Sequence, residues 1–195
     1  MNRSLLRLVS VVLFLAGAAA PLQAAENYGI DPMHSGVHFK ISHIGLSWIY
    51  GRFNNYAGTF TIDPEDAGKC SFELKINAET IDTNNSKRDA HLRSPDFFNV
   101  KQFPAIAFES TGVKAIKDGY EVTGNLTMHG VTKPLTFALV GGKTAEFPPG
   151  VPRTGYSTEL IIKRSEFGVG KEQFANALGE DVHVAISFAG TAKKK

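Results

Sequence analysis

The chain has 195 residues, with 21 Lys or Arg against 19 Asp or Glu, a formal charge of +2. So even a balance, with Lys193-Lys194-Lys195 as its one basic cluster, excludes an extended nucleic-acid-binding face and leaves the triplet as a solvated tail. With 43% hydrophobic residues and 14 Phe the chain can fill one sizeable core, and the lone Cys70 excludes an internal disulfide, so packing and backbone pairing must hold the fold.

At the start of the chain, Arg3 and Arg7 precede an apolar run from Leu8 to Ala20, and small residues follow through Ala24-Ala25. This is the three-part layout of a secretory signal peptide, and residues 1–24 are predicted to be removed. The run is about thirteen residues, short of the roughly 20 that a helix needs to cross a bilayer, so a retained anchor is the weaker reading. The leader holds two arginines and no acid, and its loss leaves residues 25–195 formally neutral.

From residue 36 the dominant signal has period two. Val37, Phe39 and Ile41 alternate with His38, Lys40 and Ser42, as one-sided strands do. The same rule marks Phe60/Ile62, Phe72/Leu74/Ile76, Ile106/Phe108, Val122/Leu126/Met128, Leu135/Phe137/Leu139, Leu160/Ile162 and Val182/Val184/Ile186/Phe188, which makes eight strands or slightly more. Turns are predicted at 63–68, 117–119, 130–134 and 147–152, where Gly, Pro and Asp gather. Cys70 opens one of the alternations and reads as a buried structural thiol.

Residues 82–100 break the pattern. Ser86 to Leu92 has good helix formers and no alternation, and Ser94-Pro95-Asp96 has the makings of an N-cap and first turn of a second helical piece. The fold class is therefore all-β and antiparallel, with a short helical insert around residues 84–99. Strands with one apolar face either pack as two sheets or close into a barrel, and an eight-strand barrel is either filled by its own side chains or holds one small ligand.

The chemistry of the remaining residues is sparse. His34, His38 and His43 invite a metal reading, but their strand parity differs and no carboxylate or Cys joins them at ligand spacing. The short motifs of hydrolases, metalloproteases and nucleotide-binding enzymes are missing, so no catalytic residue is assigned.

Several of these segments carry a resemblance. Asp31-Pro32-Met33-His34-Ser35, Gly51-Arg52-Phe53 and Gly58-Thr59-Phe60 are followed by Ile81-Asp82-Thr83-Asn84 and the dense stretch from Arg88 to Phe98. Phe103-Pro104, Phe108-Glu109-Ser110, Val122 to Thr127, Gly130 to Pro134 and Arg164 to Gly168 complete the order. Together they resemble the YceI-like family of bacterial periplasmic, lipocalin-like proteins along nearly the whole chain after the leader. Asn125, where the family commonly has an acid, and Met128-His129 depart from its pattern.

The resemblance implies a lipocalin-like barrel, a periplasmic location and an apolar cavity for a long isoprenoid, quinone or fatty chain. It implies no cofactor other than that lipid, and it is compatible with a homodimer. On this reading Phe39, Ile41, Phe72, Leu74, Ile76, Phe108, Leu126 and Phe137 line the cavity, and Trp48, Phe97 and Phe98 stand near its mouth. Arg88, Asp89 and His91 form a polar cluster that either meets a headgroup or pins the insert to the strands. Two rivals are a lipid hydrolase or isomerase using the same cavity, and a solid-core module that binds a protein through the insert.

Overall fold

The structure is a computed structural model that describes residues 25–193; the expected leader, residues 1–24, lies outside the described part. Ten strands follow in order: β1 (Glu26–His43), β2 (Ser47–Phe53), β3 (Tyr56–Ile62), β4 (Ser71–Asn77), β5 (Ile81–Asp82), β6 (Ala105–Ile116), β7 (Gly119–Met128), β8 (Val131–Glu146), β9 (Pro152–Lys163) and β10 (Leu178–Ala192). One α-helix, α1 (Ser86–Arg93), interrupts them. Eight of the strands form a closed antiparallel ring, β1-β3-β4-β6-β7-β8-β9-β10, which returns to β1.

The long first strand organises that ring. One edge of β1 pairs with β10, while the other takes β3 along its first residues and β2 from Val37–Phe53 to His43–Ser47. β2 and β3, separated only by Asn54-Asn55, thus act as one bent strand. Its bend faces the register shift between Asp31 and Gly36 in β1, a stretch containing Pro32, which has no N–H for a ladder. The sequence rule found β1 only from residue 36 and missed β2, because Glu26–Ser35 and Ser47–Phe53 do not alternate cleanly.

Inside the ring, apolar residues meet in register: Phe60 with Phe72, Ile76 with Ile106, Leu74 with Phe108, Phe108 with Leu126 and Val122 with Phe137. Each is a cross-strand pair on the inner face, the unit from which a sheet draws its side-chain stabilisation. Two corrections to the expected turns follow from the pairing. The link between β7 and β8 is only His129-Gly130, both at positive φ (52° and 77°), the backbone of a tight two-residue hairpin. Val131–Pro134 belongs to β8 instead, and Pro134 lies outside the stretch of β8, Val140 to Glu146, that pairs with β9, so its missing N–H breaks no bond on that side.

The insert begins as expected and ends differently. Asn85 caps α1, its side-chain oxygen accepting from the Arg88 N–H at 3.0 Å. Ser94 closes α1 rather than opening a second helix, and residues 95–98 form hydrogen-bonded turns in which Phe97 donates to the Ser94 carbonyl.

Two clusters of buried residues occupy the two ends of the barrel. At one end, Tyr28, Phe60, Phe72, Tyr156 and Phe188 stack in a closed aromatic group, with Tyr28–Phe60 centroids 5.0 Å apart and Phe60–Phe188 5.3 Å apart. Gly190 permits this: a Cβ there would sit 2.3 Å from the Phe60 ring. Burial pushes the phenols of Tyr28 and Tyr120 well above their ordinary range. Cys70 is buried in the same cluster, as expected, with its thiol near the Asp63 carbonyl. At the other end, Phe53, Ile81, Phe97, Phe167 and Val169 bring the insert and the residues after β9 down onto the strands.

Candidate functional site

Between the two clusters the barrel is hollow. A cavity of about 630 Å³ runs from the aromatic floor to the insert, a volume typical of sites that enclose a small organic ligand. Its walls are the inward residues of the alternation. Phe39, Ile41, Phe72, Leu74, Ile76, Phe108, Leu126 and Phe137 all border it, and so do Phe97 and Phe98 from the turns after α1. Phe60, Phe72 and Phe188 form the floor.

Polar groups gather at the insert end. Arg88 and His91 border the cavity from α1, Thr83 from the turn before it, Arg164 from the segment after β9 and His43 from the end of β1. Arg88 donates through Nε to the Thr83 hydroxyl at 2.7 Å and through Nη2 to the Thr83 carbonyl at 2.8 Å. The Asp89 carboxylate, itself buried, accepts from the Thr83 N–H at 2.9 Å and from its hydroxyl at 2.5 Å. These bonds fasten α1 to the end of β5. Arg88 therefore serves the scaffold while its guanidinium also edges the cavity, and Asp89 serves the scaffold alone.

Two of the expected site residues stand off the cavity wall. Asp89 turns to Thr83, as just described. Trp48 lies on the outer face of β2, 45% exposed, with its ring 5.1 Å from His183 and the Lys40 ammonium 4.9 Å above it. The parity of β2 decides this: Ser47 and Ile49 turn inward, so Trp48 and Tyr50 turn out.

Sequence reasoning missed the second half of the mouth. Residues 168–177 fold across the insert. Phe174 stacks on Phe97 with centroids 5.0 Å apart and meets His91 edge-on at 5.5 Å. Lys171 clamps Asp96, through its Nζ at 2.5 Å from the carboxylate and its N–H on the Asp96 carbonyl, while His91 Nε2 lies 3.2 Å from the same carboxylate. Lys171 first, then His91, hold the Asp96 carboxyl below its ordinary range. Arg164, buried at 6% exposure, donates to the carbonyls of Val169, Gly170 and Gly179 and so ties both ends of the segment to the barrel. No periodicity marks residues 168–177, and the one hint was Arg164 within the Arg164–Gly168 motif. Thr158, inward on β9, was also missed: it borders the cavity, and its hydroxyl has no hydrogen-bond partner among the described residues.

Of the three histidines near the start of the domain, His34 pairs with Asp31 at 2.8 Å, while His38, whose ring packs over Gly36, and His43 both border the cavity.

The profile of the YceI-like domain matches residues 28–189, all but a few residues of the described barrel. The chain belongs to the YceI family. Among YceI-family relatives, a UPF0312 protein of Pseudomonas aeruginosa is 40% identical over 182 residues, covering 91% of each chain. One from Pectobacterium atrosepticum is 37% identical over 196 residues and covers 100% of both. Solved structures share the fold at lower identity. BcnA of Burkholderia cenocepacia matches with a TM-score of 0.75 at 21% identity, over 82% of this chain and 98% of that one. The Campylobacter jejuni YCEI protein matches at 0.69 and 24%, over 95% and 100%. A polyisoprenoid binding domain from Saccharophagus degradans, implicated in plant cell wall breakdown, matches at 0.64 and 19%, over 85% and 98%. The YceI barrel expected from the sequence is thus the fold of this chain.

Proposed function

We propose that this protein is an exported carrier or sequestering protein, without catalytic activity, that holds one amphiphile with a long apolar tail: a polyisoprenoid, a quinone or a fatty lipid. The observation that carries the reading is the cavity itself, an apolar bore of about 630 Å³ closed by aromatics at one end and edged by Arg88, His91 and Arg164 at the other. An apolar tail gains roughly 0.8 kcal/mol for each methylene-sized group taken out of water, about 3 to 4 kcal/mol per isoprene unit. The polar edge at the insert suits a headgroup oxygen, and the Saccharophagus degradans domain supports the isoprenoid class by its own description. Export to the periplasm rests on the leader-like first 24 residues.

Organic extraction of the purified protein followed by mass spectrometry tests the reading. A prenyl, quinone or fatty lipid at close to one per chain is expected. An empty protein that also fails to take up a prenol or a quinone in a titration would overturn it. N-terminal sequencing of the exported protein tests its location, with a start near Ala25 expected and an intact Met1 against it.

A further inference from the structure

We propose that the tip of the β1–β2 hairpin is a docking surface for an anionic phospholipid bilayer, and that it seats the cavity mouth on the lipid. The proposal rests on the carrier reading for its purpose, though not for its test. Four large apolar side chains crowd this tip: Ile44, Leu46, Trp48 and Tyr50 are 51%, 83%, 45% and 65% exposed. A scatter of single exposed apolar residues is ordinary, whereas a run of them from the turn, Ile44 and Leu46, onto the outer face of β2, Trp48 and Tyr50, marks a contact site. The turn is also built against local preference. Ile44, a β-branched residue, is held at φ 46°, where such residues are genuine outliers.

The tip adjoins the cavity directly. His43, Ser47 and Ile49 border the cavity from the strand positions that alternate with the outward Trp48 and Tyr50. The Ile44 N–H bonds to the Ala177 carbonyl at 2.9 Å, so the tip is tied to the segment that closes the mouth. Whatever surface the tip rests on therefore lies beside the entrance that an apolar tail must use.

Charge selects the kind of surface. From Pro32 to Ile62 there is no Asp or Glu, while Lys40 and Arg52 are present. Arg52 is taken up by Asp82 at 3.2 Å, but the Lys40 ammonium lies over the Trp48 ring and, among the described residues, on no carboxylate. The two acids of β10 near the tip are both engaged elsewhere, Asp181 by Lys163 at 2.8 Å and Glu180 by the Ser165 N–H at 3.2 Å and Arg164 at 4.0 Å. An outward Trp and Tyr with an uncommitted Lys among aliphatic side chains is the grouping that settles at the headgroup level of a bilayer, and its positive sign matches anionic lipid. The contending occupant is a second copy of the chain, because β2 pairs on its outer edge only at Arg52 and Phe53, to β5.

Trp48 is the one tryptophan of the chain, so its emission reports directly on the tip. Residues 25–195 would be mixed with phosphatidylglycerol-containing vesicles and with phosphatidylcholine vesicles, and followed by fluorescence and co-sedimentation. A blue shift and pelleting are expected with the anionic vesicles, and both should weaken in high salt. Leu46→Glu should lower the partition coefficient about tenfold or more, since a leucine-sized side chain stays in water and a like charge is added. Its melting temperature and its uptake of a detergent-dispersed prenol should match those of the parent. No blue shift with either vesicle, or equal pelleting of Leu46→Glu and parent, overturns the proposal. So does light scattering that shows a dimer which Leu46→Glu dissolves while vesicles are ignored. A failure of prenol uptake alongside normal vesicle binding counts against the carrier reading and leaves the docking surface standing.

Discussion

At Thr158 a hydroxyl is enclosed in the cavity wall, opposite Ile186 and without a hydrogen-bond partner among the described residues. Leaving a buried donor unmade costs about 1–3 kcal/mol, so Thr158→Val, which keeps the shape, should raise the stability of the empty protein by about 1 kcal/mol in a urea titration. Arg88 gives the opposite expectation. Both of its bonds go to Thr83, and Arg88→Ala removes the donor to the Thr83 carbonyl; the variant should lose about 1–3 kcal/mol and melt several degrees lower. A melting temperature left unchanged would mean that Arg88 faces the headgroup and does not hold the insert. Asp31 sets an acid limit. Its carboxylate accepts from His34 and from Arg153, and these bonds push its pKa down to about 2 from 3.8. The folded protein thus holds this proton more weakly than the unfolded chain does, so the stabilisation is complete above about pH 4 and is lost as pH falls toward 2. Asp31→Asn should flatten the fall in melting temperature across that interval.

At the scale of elements, the mouth is closed by two pieces with different holds. α1 is fastened by the Arg88–Thr83–Asp89 bonds, and residues 168–177 by Arg164, Lys171 and the Phe174 stack on Phe97. Phe174 borders the cavity near the Asp96–Lys171 clamp, and it contributes to the enclosure more than to the barrel's own core. Phe174→Ala should therefore speed the release of a bound fluorescent prenol several-fold while the melting temperature moves by only a few degrees. Stopped-flow exchange against excess unlabelled prenol measures it, and an unchanged release rate would place the exit elsewhere. The insert was legible in outline because helix formers break a two-residue period. Its partner segment was not, since Val169, Phe174 and Ala177 reach the cavity from turns and a single 3-10 turn at Glu172–Phe174, too short to show a period.

For the whole molecule, the cavity has a floor, and this bounds its ligands. The aromatic group of Tyr28, Phe60, Phe72, Tyr156 and Phe188 is closed by its own packing, so a tail cannot pass through the far end. Affinity across a series of prenols should rise steeply with each isoprene unit until the bore is filled and then level off, because further units stay in water and add only ordering cost. Calorimetric titration across chain lengths would show the plateau, and a steady rise to the longest tails would contradict a closed floor.

The inner face of the ring was readable from period two alone, because a strand buried on one side must place its apolar residues on alternate positions; Phe39, Phe72, Leu126 and Phe137 stand where that rule puts them. The family too was legible, since its motifs lie in fixed order along the chain. The same periodicity could not say whether the barrel is hollow or solid, as a packed core and a lined cavity need the same inward side chains. Nor could it turn Trp48 outward or send Asp89 to Thr83, which depended on the parity of an unrecognised strand and on a turn that brings residue 83 against residue 89. Alternation is a local property of one strand; the space left between eight of them depends on how residues far apart in the chain meet, and only the tertiary structure decides that.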